Sequence, residues 1–194
     1  MVSTAMEDLS EACRRTAAVL AAVTDDALDA PTPCSEMPLR ALVAHIGGLA
    51  QAFHAAADKE FGPLTDTPPE PDTPLSPGWR TEYPRFLAEL AESWRDPAAW
   101  TGMTRAGGID LPGEVAGSVA LAEVVIHGWD VAVATGQNYD CDAATARACL
   151  QHLSQFDTAG TEGMFGPAVP VPDDAPAIDR IAGLSGRDPE WSPR

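Results

Sequence analysis

Leu121 to Gly136 reads LAEVVIHGWDVAVATG, and this stretch decides how the rest of the chain is to be read. At 100° per residue, Glu123 and His127 lie about 40° apart on a helix, with Asp130 about 20° from Glu123. Three polar groups therefore share one stripe. Leu121, Val124, Val125, Ile126, Trp129, Val131 and Val133 surround that stripe, so the helix is apolar on nearly every side and is expected to be buried. A buried carboxylate and imidazole need partners, because leaving them bare costs several kcal/mol, of order ~2–7 per polar group. One divalent cation satisfies both together.

Working outward, the preceding Pro112-Gly113-Glu114 leads into this helix and Gly136 ends it as a C-cap glycine. Residues from Trp100 to Leu111 read as a loop or short hairpin. Upstream, Tyr83, Phe86, Leu87, Leu90 and Trp94 mark a helix beginning near Trp79 and closed by Asp96-Pro97, with Pro84 leaving its first turn open. Between Gly62 and Gly78, prolines at 63, 68, 69, 71, 74 and 77 specify an extended, irregular connection, the kind that rims a site or moves. Before it, Pro38 opens a helix running to about Lys59, and His45 shares its inward face with Leu42, Ile46, Leu49 and Phe53. The first helix opens on a Thr4-to-Glu7 capping box and runs to about Val23. Downstream, Asp142 caps a helix reaching about Phe156, and Asp173 or Asp174 caps a last short one through Ile178, Ile181 and Leu184. Met164 to Pro172 is too proline-rich to be helical.

The pattern is all-α: a four-helix bundle with additional short helices and an irregular C-terminal tail over residues 160–194. At 194 residues, one domain is expected over the whole chain. A formal charge of −17 disfavours nucleic acid and anionic membranes as partners. Val115 to Ala134 is long enough to span a membrane, but its Glu123, His127 and Asp130 favour a buried helix of a soluble protein. Cys13, Cys34, Cys141 and Cys149 form no C-x-x-C pair, and no signal peptide is evident, so a cytoplasmic protein with reduced thiols is expected.

In a bundle, inward residues of different helices face one another, so His45 can meet Glu123 and His127. Two histidines and a glutamate with coordination left open match a catalytic zinc-type site, and equally suit nickel, iron or manganese. The alternative is a core His45 bonded to a carbonyl, with Glu123 paired to His127 or an arginine. Asp130 fits better as a carboxylate orienting an imidazole than as a fourth ligand. Trp129 either walls the site or fills the core. Cys34 stands where a helix N-terminus would lower a thiol pKa, although a buried, inert cysteine is the commoner case. His54 and His152 read as solvated or packed, and no serine has a nucleophile-elbow context.

Three of these stretches, TPCSEMPLRALVAHIGGL (32–49), LPGEVAGSVALAEVVIHGWDVAVATGQ (111–137) and MFGPAVPVPDDAPAIDRIAGLSGRDPEW (164–191), and more loosely the first helix, carry a resemblance. The chain resembles the metal-binding domain family of mycothiol-dependent maleylpyruvate isomerase, within the DinB-like superfamily, and in particular its small stand-alone members. That resemblance implies a DinB-like four-helix bundle holding one divalent metal, usually zinc, through His45, Glu123 and His127. It further implies mycothiol as a cosubstrate, activated on the metal for attack on an electrophilic small molecule by a thiol transferase or isomerase. Asp130 could accept the thiol proton. Met37 replaces a tryptophan common in relatives. The isomerase has a second domain after the bundle, which is expected to be missing here, so maleylpyruvate itself is not the expected substrate. A non-catalytic, metal-stabilised ligand-binding or sensing module is the other reading, and a homodimer is left open.

Overall fold

The computed structural model describes residues 6–68, 73–161 and 165–193. Its elements are α1 (Ser10–Ala21), a single 3-10 turn (Asp25–Ala27), α2 (Leu39–Ala57), α3 (Pro63–Asp66), α4 (Trp79–Ser93), β1 (Met103–Ala106), β2 (Ile109–Pro112), α5 (Gly113–Ala134), α6 (Ala143–Leu153) and α7 (Ala177–Leu184). The bundle consists of α1, α2, α4 and α5, in which α1 and α2 each pack against both α4 and α5. Outside it, α6 lies against α5, and α7 against α6 and α5.

As the absence of an apolar stripe implies, α5 is buried on most sides, with Ala120, Leu121, Val124, Val125, Val131 and Ala132 at 0–1% exposure. It is long and apolar enough to cross a membrane, yet 78% of its most apolar window is buried inside the fold, which makes it a core helix. Gly128 lets α1 approach closely, since a Cβ there would collide with Thr16 and Tyr139. The Thr16 hydroxyl donates to the Val124 carbonyl at 3.0 Å, fastening α1 to α5.

The segment before α5 settles as a hairpin: Met103 pairs with Pro112 and Ala106 with Ile109 around Gly107-Gly108. Both glycines have positive φ, 57° and 79°, as a two-residue primed turn requires. Asp142 caps α6 as expected, its Oδ1 accepting from the Ala144 and Thr145 amides. Pro84 sits inside α4 without ending it.

Several boundaries differ from the sequence reading. Met6 to Leu9 are not helical; α1 begins at Ser10, whose amide donates to Asp8 at 2.9 Å, while Thr4 lies outside the described residues. Leu9 faces the core as expected, at 1% exposure. Pro176, and neither Asp173 nor Asp174, precedes α7. The start of the proline-rich connection forms α3, which packs on α2 and β1, with the Thr65 carbonyl accepting from the Gly108 amide at 2.8 Å. Pro69 to Asp72 and Met164 lie outside the described residues. Phe165 to Pro172 are non-helical as expected.

Candidate metal centre

His45 comes from α2, Glu123 and His127 from adjacent turns of α5, and the close packing of these two helices makes them converge. One ligand atom from each residue lies within 4.8 Å of the other two. Glu123 Oε2 stands 3.1 Å from His127 Nε2 and 3.6 Å from His45 Nε2, and the imidazole rings meet edge-on with centroids 4.8 Å apart. The side chains of His45 and Glu123 are 18% and 23% exposed and that of His127 is 7%. The cluster is thus buried at His127 and partly exposed at His45 and Glu123.

Behind it, His127 Nδ1 donates to Asp130 Oδ2 at 3.0 Å. Asp130 is fully buried, and both of its oxygens are used. Arg187 reaches them from the segment after α7: Nε donates to Oδ1 at 3.3 Å and an Nη to Oδ2 at 3.0 Å, while the other Nη donates to the Ser185 carbonyl at 2.8 Å. The guanidinium fork matches the carboxylate in two-point fashion, the geometry that makes arginine suited to a buried pair.

Burial alone would push the His127 pKa down. The hydrogen bonds to Asp130 and Glu123, with their charges, overcome it and push it up to about 9. For Glu123, burial works toward a raised pKa, but the contacts and charge of His127 and then of His45 hold the carboxyl well below its usual range. A carboxylate facing two Nε2 atoms, one of them on a ring whose Nδ1 is already committed to a carboxylate, is a donor set suited to a divalent cation in place of the shared protons. Among the described residues this is the one group of three or more His, Cys, Asp or Glu so arranged.

Asp130 therefore sits where an orienting carboxylate is expected. The other candidates are not part of the three-residue cluster. His54 Nδ1 pairs with Ser93 Oγ at 3.0 Å. His152 is buried, and Trp129 belongs to the apolar core at 5% exposure. Cys34 is half-buried, and burial pushes its thiol pKa up despite the opposing charge of Arg187, so the inert reading fits. All four cysteines are free. The sequence reading missed Arg187. Its one available signal was a buried Asp130 in need of a cation, which does not say where along the chain the cation lies.

A family model described as the mycothiol maleylpyruvate isomerase N-terminal domain matches residues 9–132, a span that contains His45, Glu123, His127 and Asp130. The chain belongs to this family. Two uncharacterized proteins of Mycobacterium tuberculosis, MT0763 and Rv0738, are each 30% identical over 175 residues, covering 88% of this chain and 91% of theirs. Crystal structures of the mycothiol-dependent maleylpyruvate isomerase and of a histidine-to-alanine mutant of it share the fold with TM-scores of 0.62, at 18% and 17% identity. Each match covers 94% of this chain and 88% of the isomerase chain. The bundle is accordingly DinB-like. The structural match runs past residue 132 into α6 and α7, so most of the tail has a counterpart in the isomerase.

Proposed function

We propose that this protein holds one divalent metal ion, zinc in the first instance, through His45, Glu123 and His127, and uses it to activate a small thiol toward an electrophile. The observation that carries the reading is the convergence of these three donors within 4.8 Å, with His127 buried and His45 and Glu123 partly exposed. A purely structural zinc site is normally four-coordinate with protein ligands, whereas three ligands and solvent access suit a site that receives a small molecule. When bound there, a divalent ion supplies Lewis acidity that favours the thiolate form of a coordinated thiol.

The chain's own groups have separate tasks. Asp130 accepts the hydrogen bond of His127 Nδ1–H and so keeps the proton of the neutral ring on Nδ1, which leaves Nε2 as the lone-pair nitrogen facing Glu123. Arg187 fixes Asp130 in turn and compensates its charge. Glu123 supplies the negative charge that a cation between two neutral imidazoles needs. Because Asp130 is fully buried behind His127, it orients the ring; the partly exposed Glu123 is the carboxylate nearer any incoming thiol.

Family membership supports mycothiol as the thiol, since the isomerase of known structure is named for its dependence on it. The reaction class is thiol transfer or thiol-assisted isomerisation, and reduced cysteines accord with a cytoplasmic setting. Conjugate formation between mycothiol and an electrophile, assayed with zinc-loaded protein, tests the proposal. Activity is expected to vanish on chelation and in His127→Ala. Conjugation that survives both would overturn it, and thiol binding without turnover would favour the sensing module.

A further inference from the structure

The segment after α6 folds largely on itself. Thr161 and Phe165 exchange backbone hydrogen bonds, the Ala168 amide donates to the Thr158 carbonyl at 2.9 Å, and the Val169 amide donates to the Gly183 carbonyl at 2.9 Å. Within it, α7 packs on α6 and touches α5 more lightly. The end of α7 is a Schellman turn: the Gly186 amide donates to the Gly183 carbonyl at 3.0 Å and the Arg187 amide to the Ala182 carbonyl at 2.9 Å, with Gly186 at φ 80°. A Cβ at Gly186 would also meet the Gly166 backbone. This turn brings Arg187 inward, to 8% exposure.

That side chain is an ionic link between the C-terminal segment and the middle of α5. Its fork engages both oxygens of Asp130, and Asp130 Oδ2, 3.0 Å from an Nη of Arg187, is also 3.0 Å from His127 Nδ1. One oxygen atom therefore serves the C-terminal segment and a candidate metal ligand together. A pair this deep adds little net stability, since desolvating both charges offsets most of their attraction; its distinguishing property is where it sits. With Arg187 withdrawn, the Asp130 carboxylate loses the fork that fixes its plane, and His127 loses a fixed acceptor for Nδ1–H.

We propose that docking of the C-terminal segment and loading of the metal centre are coupled through Arg187. The docked segment holds Asp130, and through it His127, in the orientation that receives the ion, and the segment is held down more firmly in the loaded protein. Arg187 is a positioning residue of the centre, outside its ligands. The inference rests on the proposed metal site and adds what that site does to the rest of the chain. Linkage fixes the sign: whatever factor docking contributes to metal affinity, loading returns to the docking equilibrium. Removing a group that orients a liganding imidazole lowers affinity by roughly 10–100-fold; Arg187 acts one contact further out, so a coupling of about tenfold is expected.

The test uses the whole chain, with zinc as the probe. Amide hydrogen exchange of Val169, Gly186 and Arg187 is followed at low denaturant, where it reports local opening, beside that of Gly108 in the hairpin, whose partner is the Thr65 carbonyl. Zinc is expected to slow the three C-terminal amides about tenfold and to leave Gly108 unchanged. Zinc affinity, measured by chelator competition on the folded fraction, falls about tenfold in Arg187→Met and less in Arg187→Lys, which keeps the charge and loses the fork. An Arg187–Asp130 pair that only steadied the fold would leave C-terminal exchange indifferent to zinc. Should Arg187→Met fail to fold, the wild-type exchange decides alone. Zinc taken up with C-terminal exchange unchanged, or slowed no more than at Gly108, overturns the coupling while the metal site stands, as does a folded Arg187→Met protein that binds zinc like wild type. Wild-type protein that takes up no zinc overturns both.

Discussion

His127 and His152 are buried to nearly the same extent, 5% and 7% exposed, yet their electrostatic environments are opposite. His127, on α5, lies between two carboxylates, and its pKa is pushed up to about 9. His152, on α6, has no partner at Nε2 among the described residues, and burial lowers its pKa. Depth therefore does not decide what a histidine is for; the supply of partners does. The α5 side has a relay from Arg187 through Asp130 to His127 and Glu123. The α6 side has no such relay at His152 Nε2 among the described residues.

The comparison breaks most severely if the relay is removed. Asp130→Ala leaves the Arg187 guanidinium buried without its counter-charge, and a loss of ~3–5 kcal/mol is expected in chemical denaturation. Metal affinity, measured on the folded fraction, falls roughly 10–100-fold, as for loss of a partner that orients a liganding imidazole. His127 would then resemble His152, a buried ring without a carboxylate behind it.

pH sharpens the contrast without mutation. In metal-free protein the folded pKa of His127 lies above the ordinary 6.5, so the folded state holds the extra proton between 6.5 and about 9. Its stabilising contribution is complete below 6.5 and is lost as pH rises through about 9. For His152 the folded pKa lies below 6.5, the unfolded chain takes up the proton first, and stability is lost as pH falls below 6.5. From these two groups, metal-free stability peaks near pH 6.5, and zinc loading removes the alkaline loss by replacing the Nε2 proton. Melts of metal-free and zinc-loaded protein across pH 5 to 10 check both arms; a metal-free protein whose stability rises from pH 7 to 9 would contradict the His127 arm.

The smallest effect belongs to the α6 side. His152→Leu removes an unmatched polar atom while keeping apolar volume, so denaturation should place it within about 1 kcal/mol of wild type. It should also flatten the acid arm of the pH profile. A loss comparable with that of Asp130→Ala would mean that His152 has a structural partner.

How much of this was legible from the chain follows the same division. The stripe on α5, the inward face of α2 carrying His45, and the orienting place of Asp130 are set by helical periodicity, which is local and survives folding. The Asp142 cap is equally local. Arg187 was not legible, because it meets Asp130 from 57 residues away, and no periodicity links a residue beyond an eight-residue helix to the middle of α5. The inward place of Leu9 was legible, but the start of α1 was not, because Asp8 takes the Ser10 amide and the helix begins there. His152 was rightly read as packed, but its unmatched Nε2 is a property of the space beside it, which belongs to three segments at once.

The most direct test of the metal centre is a zinc titration in competition with a chromophoric chelator, comparing wild type with His45→Ala, Glu123→Gln and His127→Ala. The account predicts one zinc per chain, bound at least about 100-fold more weakly in each variant, as loss of one ligand in three implies. Wild-type protein that takes up no zinc, or three variants that bind it as tightly as wild type, would contradict the assignment.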